Sequence, residues 1–171
     1  MSKIGAVIVG IGCSIWLVSC IQSDRDNLRS GKVIRVVSGQ TIEVRLSDSG
    51  EVSQVRIVGI DAPDLRQSPW GEAAKQKLVE LTVGLPIQLE LESEKRDRYN
   101  RFQAHIWQDD TLVSQQLVLS GYVLADDRFA HSYSKLLMES QEYARLMGYG
   151  IWNPQQAMRL TPSQFRSMKK P

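Results

Sequence analysis

The sequence predicts a mainly β domain with added helices, an α+β fold in which a small barrel of five strands forms the core. Three observations carry that prediction. Short segments that alternate apolar and polar residues recur through the first two thirds of the chain, each bounded by a turn signal. The first three follow one another with links too short for a crossover helix, which makes an antiparallel meander rather than a parallel sheet. About three helical segments, one after the third strand and two after the fifth, supply the α part.

The first strand is Val33-Ile34-Arg35-Val36-Val37, and Ser38-Gly39 turns the chain into Thr41–Leu46, which alternates at period two. Asp48-Ser49-Gly50 makes the next turn, and Gln54–Ile60 is the third strand. From Gly71 to Leu81, Ala74, Leu78 and Leu81 recur at three-and-four spacing, the signature of a helix with one buried face. Gly84-Leu85-Pro86 ends it. Ile87–Glu92 and Phe102–Trp107 are the fourth and fifth strands. Leu112–Leu119 reads as a helix stopped by Gly121, and Tyr133–Met147 as a third helix closed by Gly148 and Gly150. This order is that of an OB-type barrel with helical additions.

At 171 residues the chain holds one domain with appendages. A formal charge of +2 excludes a heavily basic nucleic-acid coat, so any phosphate binding must arise from local clustering. Both cysteines lie in the first twenty residues. Lys3 precedes an apolar run from Ile4 to Val18, short for a membrane span and better matched to the hydrophobic region of an export signal. Leu17-Val18-Ser19-Cys20 has the composition of a bacterial lipobox, which would make Cys20 a lipidated N-terminus. The expected organisation is a signal at 1–19, a tether at 20–30, the barrel domain at 31–152 and a loose basic tail at 153–171. The expected location is the bacterial cell envelope, lipid-anchored and exported; an uncleaved N-terminal membrane anchor and simple secretion are the alternatives.

The chemistry concentrates at a strand exit. Val55-Arg56-Ile57-Val58-Gly59-Ile60-Asp61-Ala62-Pro63-Asp64 places an arginine and two carboxylates close together, and Asp97-Arg98-Tyr99-Asn100-Arg101 follows about forty residues later. Two guanidinium groups can neutralise charge building on a phosphorus centre, while one acid holds a cation and another directs water. In this order and spacing the segments resemble the staphylococcal nuclease (thermonuclease) family, over about Gly31 to Trp152. The resemblance implies an OB-type barrel that hydrolyses phosphodiester bonds of DNA or RNA with calcium, as a monomer. It assigns Arg56 and Arg101 to the scissile phosphate and Asp64, shorter than the family's glutamate, to the base or water-orienting role. Asp61 and the Ala62 carbonyl would bind Ca2+, with Gln40 as a weak further ligand.

Two departures matter. The family's Asp-Gly-Asp-Thr turn reads Ser38-Gly39-Gln40-Thr41, so both turn acids are neutral, and calcium affinity depends on ligand charge. Where the family places two tyrosines for nucleotide stacking, this chain has Asp127 and Phe129, of which only Phe129 could stack on a base. The readings left open are therefore a nuclease of reduced activity, an impaired nucleic-acid-binding module, and an envelope lipoprotein with a protein-interaction role.

Overall fold

The computed structural model describes residues 28–93 and 95–168. The expectations for the export signal, Cys20 and the first part of the tether lie outside the described residues. Five strands close a barrel. β1 (Leu28–Ser38) pairs antiparallel with both β2 (Thr41–Leu46) and β5 (Pro86–Leu91). β2 pairs with β3 (Val52–Ile57), and β5 with β6 (Phe102–Gln108). A parallel pairing of β3 with β6, in which Val55 faces Phe102 and Arg56 faces Gln103, completes the ring.

β1 reaches two partners because it bends. Its register with β2 shifts between Val33 and Arg35 and again between Val36 and Ser38, and such bulges coil a strand round a barrel. Gly31 sits where β2 and β5 both pair with β1. A Cβ there would press on Val44 and the Arg45 carbonyl, so only glycine admits the close approach. Inward residues of alternating strands, among them Ile42, Val44, Val55, Ile57, Leu89 and Ile106, are fully buried.

α1 (Trp70–Thr82) buries Gly71, Ala74, Leu78 and Thr82; Ala74 and Leu78 belong to the predicted stripe, but Thr82 rather than Leu81, which is partly buried, completes it. α2 (Val113–Leu119) packs on β6 and against α3 (Ser134–Met147). Gly148, at φ +67, ends α3 in the left-handed geometry that caps helices.

The structure departs from the sequence reading in four places. Leu28–Ser30, assigned to the tether, already pair with β5. The third strand stops at Ile57. Gly59, at φ +76, turns the chain into a separate short strand β4 (Ile60–Asp61), which pairs with β8 (Leu124–Ala125). Thr111–Leu112 form β7, so the second helix starts one residue later than expected. The tail is not loose. It forms α4 (Pro162–Met168), and Gln67 ties its approach by donating from Nε2 to the Leu160 carbonyl at 3.0 Å.

Candidate active site

Closing the barrel through β3 and β6 brings the two predicted arginines to one cavity of about 600 Å3. Arg56 extends from β3 and donates from Nη1 to the Ile57 carbonyl and from Nη2 to the Ile60 carbonyl, both at 2.7 Å. It is braced by backbone oxygens rather than by a carboxylate. Burial pulls its pKa down to about 10; Asp61 and Asp126 oppose that shift, while Arg101 and Arg166 add to it. The group stays cationic at neutral pH, but its charge is poorly compensated. Such a charge is costly unless an anion arrives.

Arg101 comes from the loop before β6. Asp97 Oδ2 accepts from its Nε at 2.9 Å and its Nη2 at 2.7 Å, while Oδ1 accepts the Arg101 backbone N–H at 3.0 Å. Asn100 sits at φ 60, which a glycine would adopt freely and asparagine tolerates. The Tyr99 ring lies 5.0 Å from the Arg101 guanidinium carbon. Arg98, Arg128, Phe129 and His131 also line the cavity, together with Glu92, Asp97 and Asp126. Each of these acids has a partner within 2.8 Å: His105, Arg101 and Arg128 respectively. The Arg128 guanidinium holds the Asp126 carboxyl below its usual range.

The predicted carboxylates have a different setting. Asp61, only 6% exposed, accepts from Arg166 Nη2 on both oxygens, at 2.7 and 2.9 Å. Arg166 Nη1 also lies 3.5 Å from the Ala62 carbonyl. Asp64 is gripped by its neighbour Arg66, whose Nε donates to Oδ1 at 2.8 Å and Nη2 to Oδ2 at 3.0 Å. These hydrogen bonds hold the Asp64 carboxyl down at about 2. Gly71 lets α1 begin directly against this loop, because a Cβ there would collide with the Asp64 carbonyl. Gln40 uses its side-chain oxygen to accept the Ala62 N–H at 2.7 Å.

Comparison with known proteins decides the family. The staphylococcal nuclease homologue model matches residues 54–154, more than half of the chain and the whole of this arginine cavity. The chain belongs to the staphylococcal nuclease family. It is 26% identical over 133 residues to a thermonuclease of Staphylococcus hyicus, covering 74% of this chain and 78% of that protein. A thermonuclease of Staphylococcus intermedius is 26% identical over 170 residues, covering 89% and 99%. An uncharacterized endonuclease of Escherichia coli is 30% identical over 124 residues, covering 72% and 76%.

Within this nuclease-family barrel the structure brings some of the predicted residues together and keeps others apart. Arg56, Arg101 and Phe129 line one cavity, and Phe129 is 80% exposed. Asp61, Ala62 and Gln40 cluster beside the seam, and Asp64 lies one turn of loop further on. Asp127 is exposed and is not among the residues lining the cavity. Three arginines were missed. Arg128 was detectable, since an arginine next to an exposed aromatic is a common nucleic-acid pattern. Arg98 was quoted within its motif but given no role. Arg166 left no local signal, being 105 residues from the carboxylate it holds.

Proposed function

We propose that this protein binds the phosphodiester backbone of DNA or RNA in the Arg56–Arg101 cavity and hydrolyses it, at a rate limited by the way its carboxylates are held. The observation that carries the reading is Arg56: a part-buried, charged guanidinium fixed by two carbonyls and opening onto a cavity with a second arginine. A phosphate supplies the missing anion. Two planar forks on one phosphate also favour a transition state in which more negative charge spreads over the oxygens. Phe129 would stack on a neighbouring base, and Arg128, once turned from Asp126, would meet the next phosphate.

Asp64 would orient the attacking water. As a proton acceptor it is feeble, because a carboxyl at about 2 retains little proton affinity near neutral pH. Both its oxygens must also leave Arg66 before they can hold a water. That lock favours a second reading, a nucleic-acid-binding module without turnover.

The calcium that the family resemblance implies does not fit these residues as arranged. Calcium takes roughly six to eight oxygen ligands and gains affinity from their charge. Here Asp61 is the one carboxylate of the set, both its oxygens accept from Arg166, and the Gln40 oxygen serves the Ala62 N–H. Ser38 brings no charge. Among the described residues no group of three or more His, Cys, Asp or Glu side chains could hold a metal ion. Calcium-supported turnover would therefore require a rearranged Asp61.

Lipidation at Cys20 would tether a monomeric domain to a bacterial envelope membrane, its substrate being nucleic acid outside the cytoplasm. Among the described residues no helix is long and apolar enough to cross a membrane. The deciding experiment is hydrolysis of single- and double-stranded DNA and of RNA by the purified protein, in chelator and in calcium. Cleavage above an Arg56→Ala/Arg101→Ala control supports the hydrolase. Binding without cleavage under every condition supports the module, and neither binding nor cleavage overturns both.

A further inference from the structure

We infer that the Arg166 guanidinium is the resident cation of the Asp61 site, so that anion binding in the neighbouring cavity needs no divalent ion. Asp61 is nearly sealed from solvent, and a buried carboxylate requires a positive partner or a proton. Arg166 meets that need with two hydrogen bonds of 2.7 and 2.9 Å from a single nitrogen, and its other terminal nitrogen points toward the Ala62 carbonyl. One side-chain cation thus lies against the same carboxylate and carbonyl that a metal would use there.

Charge balance favours the guanidinium. With Ser38 and Gln40 at the adjoining turn, the site presents one negative charge, which one guanidinium cancels. A divalent ion in its place would leave an excess positive charge beside Arg56, whose own charge Arg101 and Arg166 already disfavour. The placement is also built rather than accidental. Arg166 arrives on α4, and the chain leading to α4 is fastened by the Gln67–Leu160 hydrogen bond. Phe165 lies 5.9 Å from the guanidinium of Arg66, the residue that holds Asp64. α4 lies beyond residues 54–154, the segment matched by the family model.

The calcium half of the test stands alone, and the oligonucleotide half rests on the proposed function. Calcium binding is measured by isothermal titration calorimetry on the detergent-solubilised full chain, for wild type, Arg166→Gln and Arg166→Lys. Wild type and Arg166→Lys should take up no calcium in the low millimolar range, whereas Arg166→Gln should bind at least about tenfold more tightly than wild type. Binding of a fluorescent single-stranded oligonucleotide is then measured in chelator. Wild type should bind, and Arg166→Gln should be weakened about tenfold or more. Millimolar calcium should restore the variant and leave wild type unchanged. Should Arg166→Gln not fold, Asp61→Asn/Arg166→Gln buries no unpaired charge; it should bind the oligonucleotide in chelator and ignore calcium.

Equal calcium affinity in wild type and Arg166→Gln overturns the inference. So does an Arg166→Gln protein that keeps full oligonucleotide affinity in chelator, since α4 would then be only a plug. Calcium dependence in the double variant overturns it as well. If wild type binds no oligonucleotide with or without calcium, the proposed function fails while the calorimetry still decides the place of Arg166.

Discussion

On one side of the site Arg56 and Arg101 open onto a cavity, and among the described residues Arg56 hydrogen-bonds only to backbone oxygens, with Asp61 and Asp126 acting on its charge from farther off. On the other side Asp61 and Asp64 each have both oxygens taken up by an arginine from their own chain. Arg101 has a counter-ion of its own in Asp97, so the unmet demand for negative charge sits at Arg56, while both carboxylates on the cation side are satisfied from within. Under the proposed function, a family site retains half of its electrostatics for ligand while the other half turns into structure. The arginine side gains from ligand, and the carboxylate side gains only from the fold.

The contrast is tested most severely at Arg56. Arg56→Met keeps the aliphatic stem and removes the desolvated charge but takes the donor from the Ile57 and Ile60 carbonyls, so the two effects oppose and thermal stability should change little. Oligonucleotide affinity should fall by about 2–3 kcal/mol, on the order of a hundredfold. Titration and a melting curve on the same sample check both, and unchanged affinity would move the anion site elsewhere. Arg101→Lys comes next. Its positive charge survives, so binding should weaken only a few-fold, but a point charge cannot replace a fork around a changing phosphate, and turnover should drop about tenfold or more. Equal losses in binding and turnover would reduce Arg101 to a simple charge.

On the carboxylate side, Arg66→Ala frees Asp64. The carboxyl should rise from about 2 toward its ordinary 3.8, as an NMR titration of the side chain would register. Because the folded value lies below the unfolded one, the stability it contributes is present above about pH 4 and lost as pH falls toward 2. The variant should lack that acid-limb loss. Under the hydrolase reading its turnover near neutral pH should rise a few-fold, and a flat response would favour the binding module.

The smallest effect belongs to His105, buried with Nε2 at 2.8 Å from Glu92 and, among the described residues, no hydrogen-bond partner for Nδ1. Burial lowers its pKa. The unfolded chain therefore takes up this proton first as pH falls through about 6.5, and stability declines below that point. Melting temperatures between pH 8 and 5 should show the decline in wild type and a shallower one in His105→Gln.

Much of this was legible in the sequence for a physical reason: strands and hairpins are written locally. Thr41–Leu46 and Ile87–Leu91 alternate where they pair, and the α1 stripe is visible in Ala74 and Leu78. The two arginines that share the cavity were legible because each sits in a short motif. What escaped was long-range or conformational. Gly59 splits a continuous apolar run into β3 and β4 through a positive φ that composition does not encode. The partner of Asp61 comes from a tail with no apolar period, so a seven-residue helix read as a loose basic segment. Sequence can name a carboxylate fit for a metal, but it cannot reveal that a remote arginine has taken its place.

The parallel seam between β3 and β6 has a consequence for folding. Arg56 lies on β3 and Arg101 immediately before β6, so the two meet only where these segments, far apart in the chain, have paired, and such long-range pairing is slow. A chain with its first hairpins made but the seam open carries no anion pocket at all. Under the proposed function, affinity for nucleic acid is thus a readout of closure, and ligand in turn holds the seam shut. An oligonucleotide at about a hundred times its Kd would deepen the native well by about 2.7 kcal/mol, a clamp applied across that long-range pairing.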